Sequence, residues 1–216
     1  MFYVNGIEYE INSDGISVTV IKKVYTYSGI VIIPPQVRYL NNIYRVTAIG
    51  DWAFFGCSGI TSLTIPDSVT SIGDYAFDSC SGITSLTIPA SVTAIGNCAF
   101  AGCSDLERIS VDSHNAIYDS RGDCNAIIET ATNTLIAGCK NTTIPASVTS
   151  IGDSAFRGCS GITSLTIPAS VTSIGNCAFD GCSGITSLTL PDSVTAIGYS
   201  AFSGCSGITS LTIPTQ

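Results

Sequence analysis

The sequence has few charged residues, and few of those are basic. Asp, Glu, Lys and Arg make up 11% of the 216 residues, against about 25% in most soluble domains, so Ser, Thr, Asn and Gly must keep the chain soluble. Sixteen acidic residues outnumber eight basic ones, which gives a net charge of −8. That charge repels phosphate backbones and anionic membranes, and the sequence therefore predicts no nucleic-acid partner.

Long apolar runs are missing as well. Short stretches such as Ile30–Ile33, before Pro34, fall well below the ~20 residues needed to span a bilayer, so no membrane insertion is predicted. Asn5, Glu8 and Asp14 interrupt the start of the chain, which lacks the basic start and apolar core of a secretory signal. If the protein is secreted, its signal is expected to have been removed.

What the sequence does contain is a block that recurs at a fixed spacing. Cys57, Cys80 and Cys103 are each 23 residues apart, and the same step separates three later cysteines. Ala-Phe pairs mark six copies of the block, at Phe54, Phe77, Phe100, Phe156, Phe179 and Phe202. We number these copies repeats 1 to 6.

Each repeat contains two extended segments and a turn. In Ser85–Ile88, polar and apolar residues alternate, which predicts a strand, and Pro89 ends it because proline has no amide proton. Ser91–Ile95 predicts a second short extended segment, and Gly96 a turn. Asn97–Gly102 then predicts one helical turn that carries its Ala-Phe pair inward. Stacked copies can bury these apolar residues in one continuous core.

These repeats resemble the BspA-like subclass of leucine-rich repeats from bacterial surface proteins. The shared pattern is Leu-x-x-Ile-x-Ile-Pro-x-x-Val-x-x-Ile-Gly-x-x-Ala-Phe-x-x-Cys, and the match runs from about Val46 to Pro214. The resemblance implies a mostly β fold with short helical turns, built as a right-handed leucine-rich-repeat solenoid with a parallel β-sheet on the concave side. It also implies an extracellular or cell-surface protein for adhesion, aggregation or host contact, without catalytic residues or cofactors.

The repeat pattern divides the chain into two predicted parts. Residues 1–45 are expected to form a β-rich N-terminal cap, and residues 46–216 the solenoid, with an insert at about 112–143. Across the insert, equivalent isoleucines are 56 residues apart, which exceeds the period of 23 by 33. Two apolar runs in the insert, Asn125–Glu129 and Thr134–Cys139, predict a β-hairpin.

At the C-terminus the chain stops at residues 213–216, just after a predicted strand. Solenoids need polar terminal repeats for solubility. We therefore expect that the natural chain continues or that another copy covers this end, which makes self-association through the last repeat a candidate interaction.

Ten cysteines suggest a disulfide framework or a ladder of buried thiols. Stacked side chains point in parallel about 4.8 Å apart, whereas a disulfide prefers Cβ atoms ~3.8 Å apart. Free thiols are therefore expected, with a bond between Cys124 and Cys139 across the hairpin as the one alternative. The spacing of Cys98 and Cys177 from the next cysteine is not a zinc signature, and no metal site is predicted.

Two short motifs resemble functional sites, and each also has a simpler explanation. Asp112, Ser113 and His114 are the residue types of a catalytic triad, but sequence neighbours seldom converge as a triad does, so His114 is predicted to be a solvated loop residue. Arg121, Gly122 and Asp123 form the tripeptide that integrins read, beside a predicted turn, although a match of three residues also arises by chance.

Outward-facing residues of the first extended segments form the main candidate binding surface. We call this set the hydroxyl face: Ser62, Thr64, Ser85, Thr87, Arg108, Ser110, Ser164, Thr166, Ser187, Thr189, Ser210 and Thr212. It has few of the aromatic and Arg side chains that dominate protein-binding hot spots. Such uniformity favours weak, multivalent contact with a repetitive glycan or mucin, or else only keeps the sheet soluble.

Residues of the turn vary between repeats, unlike the hydroxyl face. Partner specificity could lie there, above all at Tyr75 and Tyr199, and in the hairpin insert, or the variation could be ordinary drift at solvent positions. The varying residues are Trp52, Phe55, Tyr75, Asp78, Ala101, Arg157, Asp180, Tyr199 and Ser203.

Together these features favour a non-enzymatic, surface-exposed adhesion or binding protein that presents a repetitive face to host glycan, matrix or protein ligands. The alternative is a structural spacer that projects another domain from the cell surface. An enzyme is not predicted, because no pair of acids lies in an evident cleft.

Overall fold

A computed structural model describes residues 1–22 and 26–212 of the chain. The described part is mostly β, and its only helix is a 3₁₀ turn at Arg121–Asp123. No helix in this part is long and apolar enough to cross a membrane. The prediction for residues 213–216, at the end of the last repeat, lies outside the described residues.

The N-terminal strands join directly to the repeats. They are β1 (Phe2–Val4), β2 (Ile7–Ile11), β3 (Ser17–Val20), β4 (Ser28–Ile32), β5 (Gln36–Tyr39) and β6 (Asn42–Ile49). The first three pair antiparallel, β3 then pairs parallel with β6, and β5 pairs antiparallel with β6. Since β6 runs across residue 45 and pairs with repeat 1, one sheet crosses the predicted boundary, and the division into cap and repeats stays a prediction.

The first extended segment of a repeat forms a parallel strand in most copies. These strands are β7 (Gly59–Thr64), β9 (Ser85–Ile88), β11 (Arg108–Val111), β17 (Ser187–Thr189) and β19 (Ser210–Thr212). They pair as β4–β7, β9–β11 and β17–β19, so this side of the molecule holds three short sheets. Residues 163–168 of repeat 4 form no strand.

The second extended segment gives the longer sheets, although each of its strands has two residues. These strands are β8 (Ser71–Ile72), β10 (Ala94–Ile95), β15 (Ser150–Ile151), β16 (Ser173–Ile174) and β18 (Ala196–Ile197). They pair in parallel with their equivalents 23 residues away. Successive strand residues face opposite sides, and the isoleucines of β8, β15 and β16 are buried; Ile95 is partly buried and Ile197 is exposed.

The predicted helical turn of the repeat is wrong. Phe55 donates its amide to Trp52 O at 3.0 Å and Cys57 donates to Phe54 O at 3.0 Å, which are the i to i+3 bonds of consecutive tight turns. Trp52 has a φ of 60°, a left-handed conformation that an α-helix does not contain. The same position is left-handed in all six repeats: Trp52, Tyr75, Cys98, Ser154, Cys177 and Ser200.

The insert contains the predicted hairpin. Its strands are β12 (Tyr118–Asp119), β13 (Ala126–Glu129) and β14 (Thr134–Gly138). β13 lies antiparallel between the other two, and β14 pairs parallel with β15 of repeat 4. The hairpin therefore occupies the place that a repeat would take in this sheet.

The core is divided in two by the hairpin. One apolar cluster runs from the N-terminal strands through repeat 3 and includes Ile127 and Ala137. The other runs through repeats 4 to 6 and includes Ala126, Ile128 and Leu135. Neighbouring hairpin residues point to opposite faces, so each face of the hairpin covers the end of one stack of repeats.

Candidate functional site

The hydroxyl face is exposed, but it is neither one continuous sheet nor entirely polar. Ser85 and Thr87 are exposed on β9, and Thr87 bonds to Ser110 Oγ of β11 at 3.0 Å. At its start lie Ile30 and Ile32 of β4, which pair beside Ser62 and Thr64 and are 72% and 64% exposed. Two exposed isoleucines thus begin the face, which the 23-residue pattern did not reveal because β4 precedes the repeats.

Most of the other predicted face residues are exposed too. Arg108 is exposed on β11, and no salt bridge joins it to another described residue. Around Ser164 and Thr166, where the strand is missing, the surface is indented. One depression of about 320 Å³ lies beside Ser187 and Thr189, and one of about 310 Å³ lies on the other side of Ser164.

The two candidate tyrosines have different surroundings. Tyr75 stacks on Trp52 with ring centroids 4.1 Å apart, and Phe55 meets the Trp52 ring edge-on at 5.0 Å. Lys22 Nζ lies 5.2 Å from the Phe55 ring, within reach of a cation–π interaction. Tyr199 is 82% exposed, and no other described ring stacks on it. The structure therefore builds an aromatic cluster around one of the two tyrosines.

Arg121 of the integrin-like tripeptide is held within the protein. Its guanidinium pairs with Asp119, Nη2 to Oδ2 at 2.9 Å, and donates to Asn133 Oδ1 at 2.7 Å and Ser147 Oγ at 3.2 Å. Gly122 and Asp123 are exposed. Arg121 thus ties this part of the insert to the turn of the hairpin and to repeat 4, and integrin contact stays a prediction.

Arg157 joins repeats that lie on both sides of the insert. Its Nη1 lies 3.2 Å from Asp78 Oδ2 of repeat 2, and its Nε lies 3.4 Å from Asp180 Oδ2 of repeat 5. The small Ala101 occupies the equivalent position in repeat 3. Although burial opposes it, Asp78 and Asp180 raise the pKa of Arg157. These residues, which the sequence offered as specificity positions or drift, form an ion-pair ladder.

All ten cysteines are free thiols, including Cys124 and Cys139. Four of the six repeated thiols donate to the Phe carbonyl of the preceding repeat, as Cys80 Sγ does to Phe54 O at 3.1 Å and Cys182 Sγ to Phe156 O at 3.0 Å. Burial raises the pKa of Cys80 to about 12. A thiol that stays protonated is a poor nucleophile, so these cysteines have a structural role.

The remaining ionisable residues do not assemble a reactive group. His114 contacts Asp112 at 3.1 Å with its ring 88% exposed, so it is the solvated loop residue that was predicted. Among the described residues, no group of three His, Cys, Asp or Glu side chains is placed to hold a metal ion.

Neighbouring repeats are joined along the turn by three backbone hydrogen bonds. Between repeats 1 and 2, the amides of Trp52, Phe54 and Gly56 donate to repeat 2 at 2.9, 2.7 and 2.8 Å. The equivalent amides donate in the same way between repeats 2 and 3, 4 and 5, and 5 and 6. We call these four junctions the regular seams.

The junction between repeats 3 and 4, which we call the interrupted seam, keeps one of the three bonds. Gly102 N donates to Arg157 O at 2.7 Å. The amides of Cys98 and Phe100, which hold the other two positions, take part in no hydrogen bond with a described residue. Instead, Gly138 of the hairpin donates to repeat 4, at 2.8 Å.

A second ladder is broken at the same place. At the residue after the turn glycine, an Asx oxygen accepts the amide of its equivalent in the next repeat at 2.7–2.8 Å: Asp51 from Asp74, Asp74 from Asn97, Asp153 from Asn176 and Asn176 from Tyr199. No such bond joins Asn97 to Asp153 among the described residues. The amide of Asp153 and the side-chain oxygen of Asn97 therefore lack, at the interrupted seam, the partner that this ladder supplies elsewhere.

The interrupted seam opens into a cleft of about 300 Å³, which we call the seam cleft. Its residues come from repeat 3, the hairpin and repeat 4: Ile95, Gly96, Asn97, Cys98, Ala99, Phe100, Ala101, Tyr118, Glu129, Thr134, Ile136, Ala137, Gly152, Asp153, Ser154 and Ala155. At one side the repeats touch, because a Cβ on Gly158 would lie 2.7 Å from Gly102 Cα. On the opposite side the hairpin lies between repeats 3 and 4, so the two repeats are farther apart there.

Two cleft residues drew attention in the sequence: Cys98 as a cysteine outside the 23-residue ladder and Ala101 as a varying position. The signal that pointed nearest to the cleft was the break in the 23-residue period, because an insert must separate the repeats on either side of it.

Comparison with known proteins agrees with this architecture. The family model described as BspA type leucine rich repeat region matches residues 36–122 and 128–216 in six copies. A leucine-rich repeat protein from Eubacterium ventriosum is similar in structure, with a TM-score of 0.56 and 21% identity over 97% of this chain and 70% of that chain. The pneumococcal vaccine antigen PcpA gives a TM-score of 0.52 and 16% identity over 99% and 81%.

A leucine-rich cell surface protein from Faecalibacterium prausnitzii matches 100% of this chain and 95% of that chain, at 21% identity and a TM-score of 0.41 that is too low to support an argument. No protein among the curated sequences matches the chain. At these identities the similar structures bear on the fold alone, a mostly β leucine-rich-repeat type with parallel strands.

Proposed function

The chain belongs to the family of BspA-type leucine-rich-repeat proteins, and from this we propose that it is a non-enzymatic cell-surface protein whose hydroxyl face binds a repetitive extracellular ligand. The ligand class that we propose is host glycan or mucin, with matrix protein as a variant of the same role. We further propose that the repeats wind as a right-handed solenoid with the hydroxyl face on its concave side and residues 1–45 as its cap.

The observation that carries this proposal is the regular exposure of hydroxyl groups along the face. Ser187 and Thr189 repeat the positions of Ser85 and Thr87, and all four are exposed. Hydroxyls both donate and accept hydrogen bonds, as the hydroxyls of a glycan do. Each contact is weak, and several together give useful affinity only when the ligand repeats as well.

Binding to immobilised mucin and to a glycan array tests the proposal, with the protein presented as a monomer and on multivalent beads. We expect binding only from the beads. The variant Ser164→Ala, Thr166→Val, Ser187→Ala, Thr189→Val removes the four hydroxyls that line one depression of the face. It should weaken bead binding at least about tenfold, if each lost hydrogen bond contributes about 0.5–1.5 kcal/mol.

A matched control removes serines from another surface. Ser160 and Ser183 are exposed in the turn after the repeated cysteine, and their replacement by Ala should leave bead binding unchanged. If the beads bind no glycan and no mucin, the spacer role becomes the better explanation. If the two variants lose bead binding equally, the hydroxyl face is not the binding surface.

A further inference from the structure

The seam cleft has unused hydrogen-bonding groups of both kinds, and we infer that it binds one neutral sugar residue. Its donors are the amides of Cys98, Phe100 and Asp153, which have no hydrogen bond with a described residue. At the regular seams, the equivalents of Cys98 and Phe100 donate to the next repeat, and the equivalent of Asp153 donates to the preceding repeat, as Asp74 does to Asp51, so the fold directs all three amides across the interrupted seam. At the interrupted seam the cleft lies on that side.

The side-chain acceptors of the cleft include two carboxylates and the amide oxygen of Asn97. Asp153 lines the cleft from repeat 4 and Glu129 lines it from the hairpin. Asp153 accepts the amide and side chain of Asn176, and Glu129 accepts a bond from Thr132. A carboxylate has about four lone-pair sites, so both groups can accept more bonds.

The combination of amide donors and carboxylate acceptors favours a neutral ligand. Two carboxylates and no lysine or arginine line the cleft, so an anion would be repelled. A cation would meet the carboxylates but would leave the backbone donors without an acceptor. Hydroxyl groups donate and accept, and vicinal hydroxyls of a sugar can therefore use both sets at once.

The inner surface of the cleft suits the apolar face of a sugar ring. Phe100 and Tyr118 are 8% and 5% exposed, and Ala137 of the hairpin is 7% exposed. The volume of about 300 Å³ is at the low end of small-molecule sites, which span roughly 300–1,000 Å³. It therefore fits a terminal sugar or a short branch better than a long chain.

The walls of the cleft are tied together without a ligand. Tyr118 Oη accepts the amide of Ile95 at 3.1 Å, and Cys98 Sγ lies 3.2 Å from Ser154 Oγ across the seam. A preformed cleft loses little entropy when it binds. This inference is independent of the hydroxyl face, whose residues do not line the cleft.

Saturation-transfer NMR and calorimetric titration of the whole chain test the inference. The probes are the methyl glycosides of glucose, galactose, mannose and N-acetylglucosamine, with glucuronate and calcium as charged probes, each up to about 10 mM. We expect at least one neutral glycoside to bind and neither charged probe to compete with it. No binding by any neutral glycoside, or displacement of it by glucuronate or calcium, would overturn the inference.

Two variants locate the binding. Ile136→Trp fills the cleft and should abolish binding. Asp153→Asn keeps an oxygen for the amide of Asn176, as Asn176 itself does for Tyr199, but removes the charge; it should weaken binding about tenfold, since bonds to charged groups are stronger.

The matched control is Asp51→Asn, which makes the same change in the same ladder but away from the cleft. It should bind as the unchanged chain does, and all three variants should show the same circular dichroism. Binding that survives both Ile136→Trp and Asp153→Asn places the sugar elsewhere and contradicts the inference. Variants of the hydroxyl face should bind the glycosides normally, so failure here and failure of the proposed function can be told apart.

Discussion

Repeats 1 to 3 and repeats 4 to 6 have nearly the same residues, yet the regular seams and the interrupted seam differ in their backbone bonds, their Asx ladder and their ring stacking. At a regular seam, three backbone bonds close the turn and the Phe rings stack at 5.1–5.6 Å. At the interrupted seam one bond remains, and the hairpin backbone at Gly138 lies against the Phe156 ring.

The difference teaches where such a chain can form a distinctive site. A regular seam satisfies its own polar groups, because each repeat supplies the partner that its neighbour needs. The interrupted seam leaves amides and an Asx side chain without that partner, and it encloses them in a cleft. Four predictions test whether the two kinds of seam differ as described.

The largest expected effect is in the Phe stack. Phe179→Ala removes a ring that is 0% exposed and stacked on both sides, and it should lower the free energy of unfolding by about 3–5 kcal/mol. Phe100→Ala should cost less, because this ring stacks on Phe77 alone and borders the cleft. Urea denaturation measures both. Equal losses would mean that the interrupted seam is packed as tightly as a regular one.

Gly138 tests how closely the hairpin packs on repeat 4. A Cβ at this position would overlap the ring of Phe156, so Gly138→Ala should lower the free energy of unfolding by about 1–3 kcal/mol. In a Phe156→Leu background the same change should cost less, because the ring has been removed. Additive losses in the double variant would contradict the proposed contact.

Arg157 tests the ion pair with Asp78 that crosses the interrupted seam. Arg157→Ala leaves the buried side chain of Asp78, 7% exposed, without its cation. A fully buried pair would cost about 3–5 kcal/mol to break, but the Arg157 side chain is 38% exposed, so we expect about 1–2 kcal/mol. Arg157→Lys should restore part of the loss in thermal unfolding at low salt. If neither variant changes the thermal stability, the Arg157 ion pairs do not contribute to the stability of the fold.

The smallest effect compares the same side-chain ladder at both kinds of seam. Asp74 accepts the amide of Asn97 at 2.7 Å, so Asp74→Ala should lower the free energy of unfolding by about 1 kcal/mol. Asn97→Ala should change it by no more than about 0.5 kcal/mol, because Asn97 accepts no amide across the interrupted seam. Denaturation of the two variants side by side measures the difference. A loss for Asn97 as large as that for Asp74 would show that the ladder continues across the seam.

Much of the fold was predictable because each repeat carries its whole pattern locally. The period, most strand positions and the free thiols follow from the spacing of residues, and the hairpin follows from two apolar runs around a polar turn. The helical turn was predicted wrongly, because Ala, Phe and Cys at these spacings are compatible with a helix. The left-handed residue before the Ala-Phe pair donates its amide to the next repeat at the four regular seams, and a single repeat does not display these bonds.

The candidate sites were less predictable, because they depend on contacts between repeats that a single repeat does not display. The sequence located the hydroxyl face by alternation, but the missing strand at residues 163–168 and the isoleucines of β4 appeared only in the structure. Tyr75 and Arg157 were recognised as varying positions, whereas their partners, Trp52 for one and Asp78 with Asp180 for the other, depend on which repeats lie side by side.

By itself the sequence determined the repeat, its inward residues and the place where the period breaks, since these depend on the order of apolar and polar residues along the chain. Only the tertiary structure decided what the break produces. A hairpin can be read from 33 extra residues, but the seam cleft exists because the hairpin separates two repeats at one side while Gly102 and Gly158 keep them in contact at the other. Distances between residues from three separate segments set that geometry, and no local pattern encodes them.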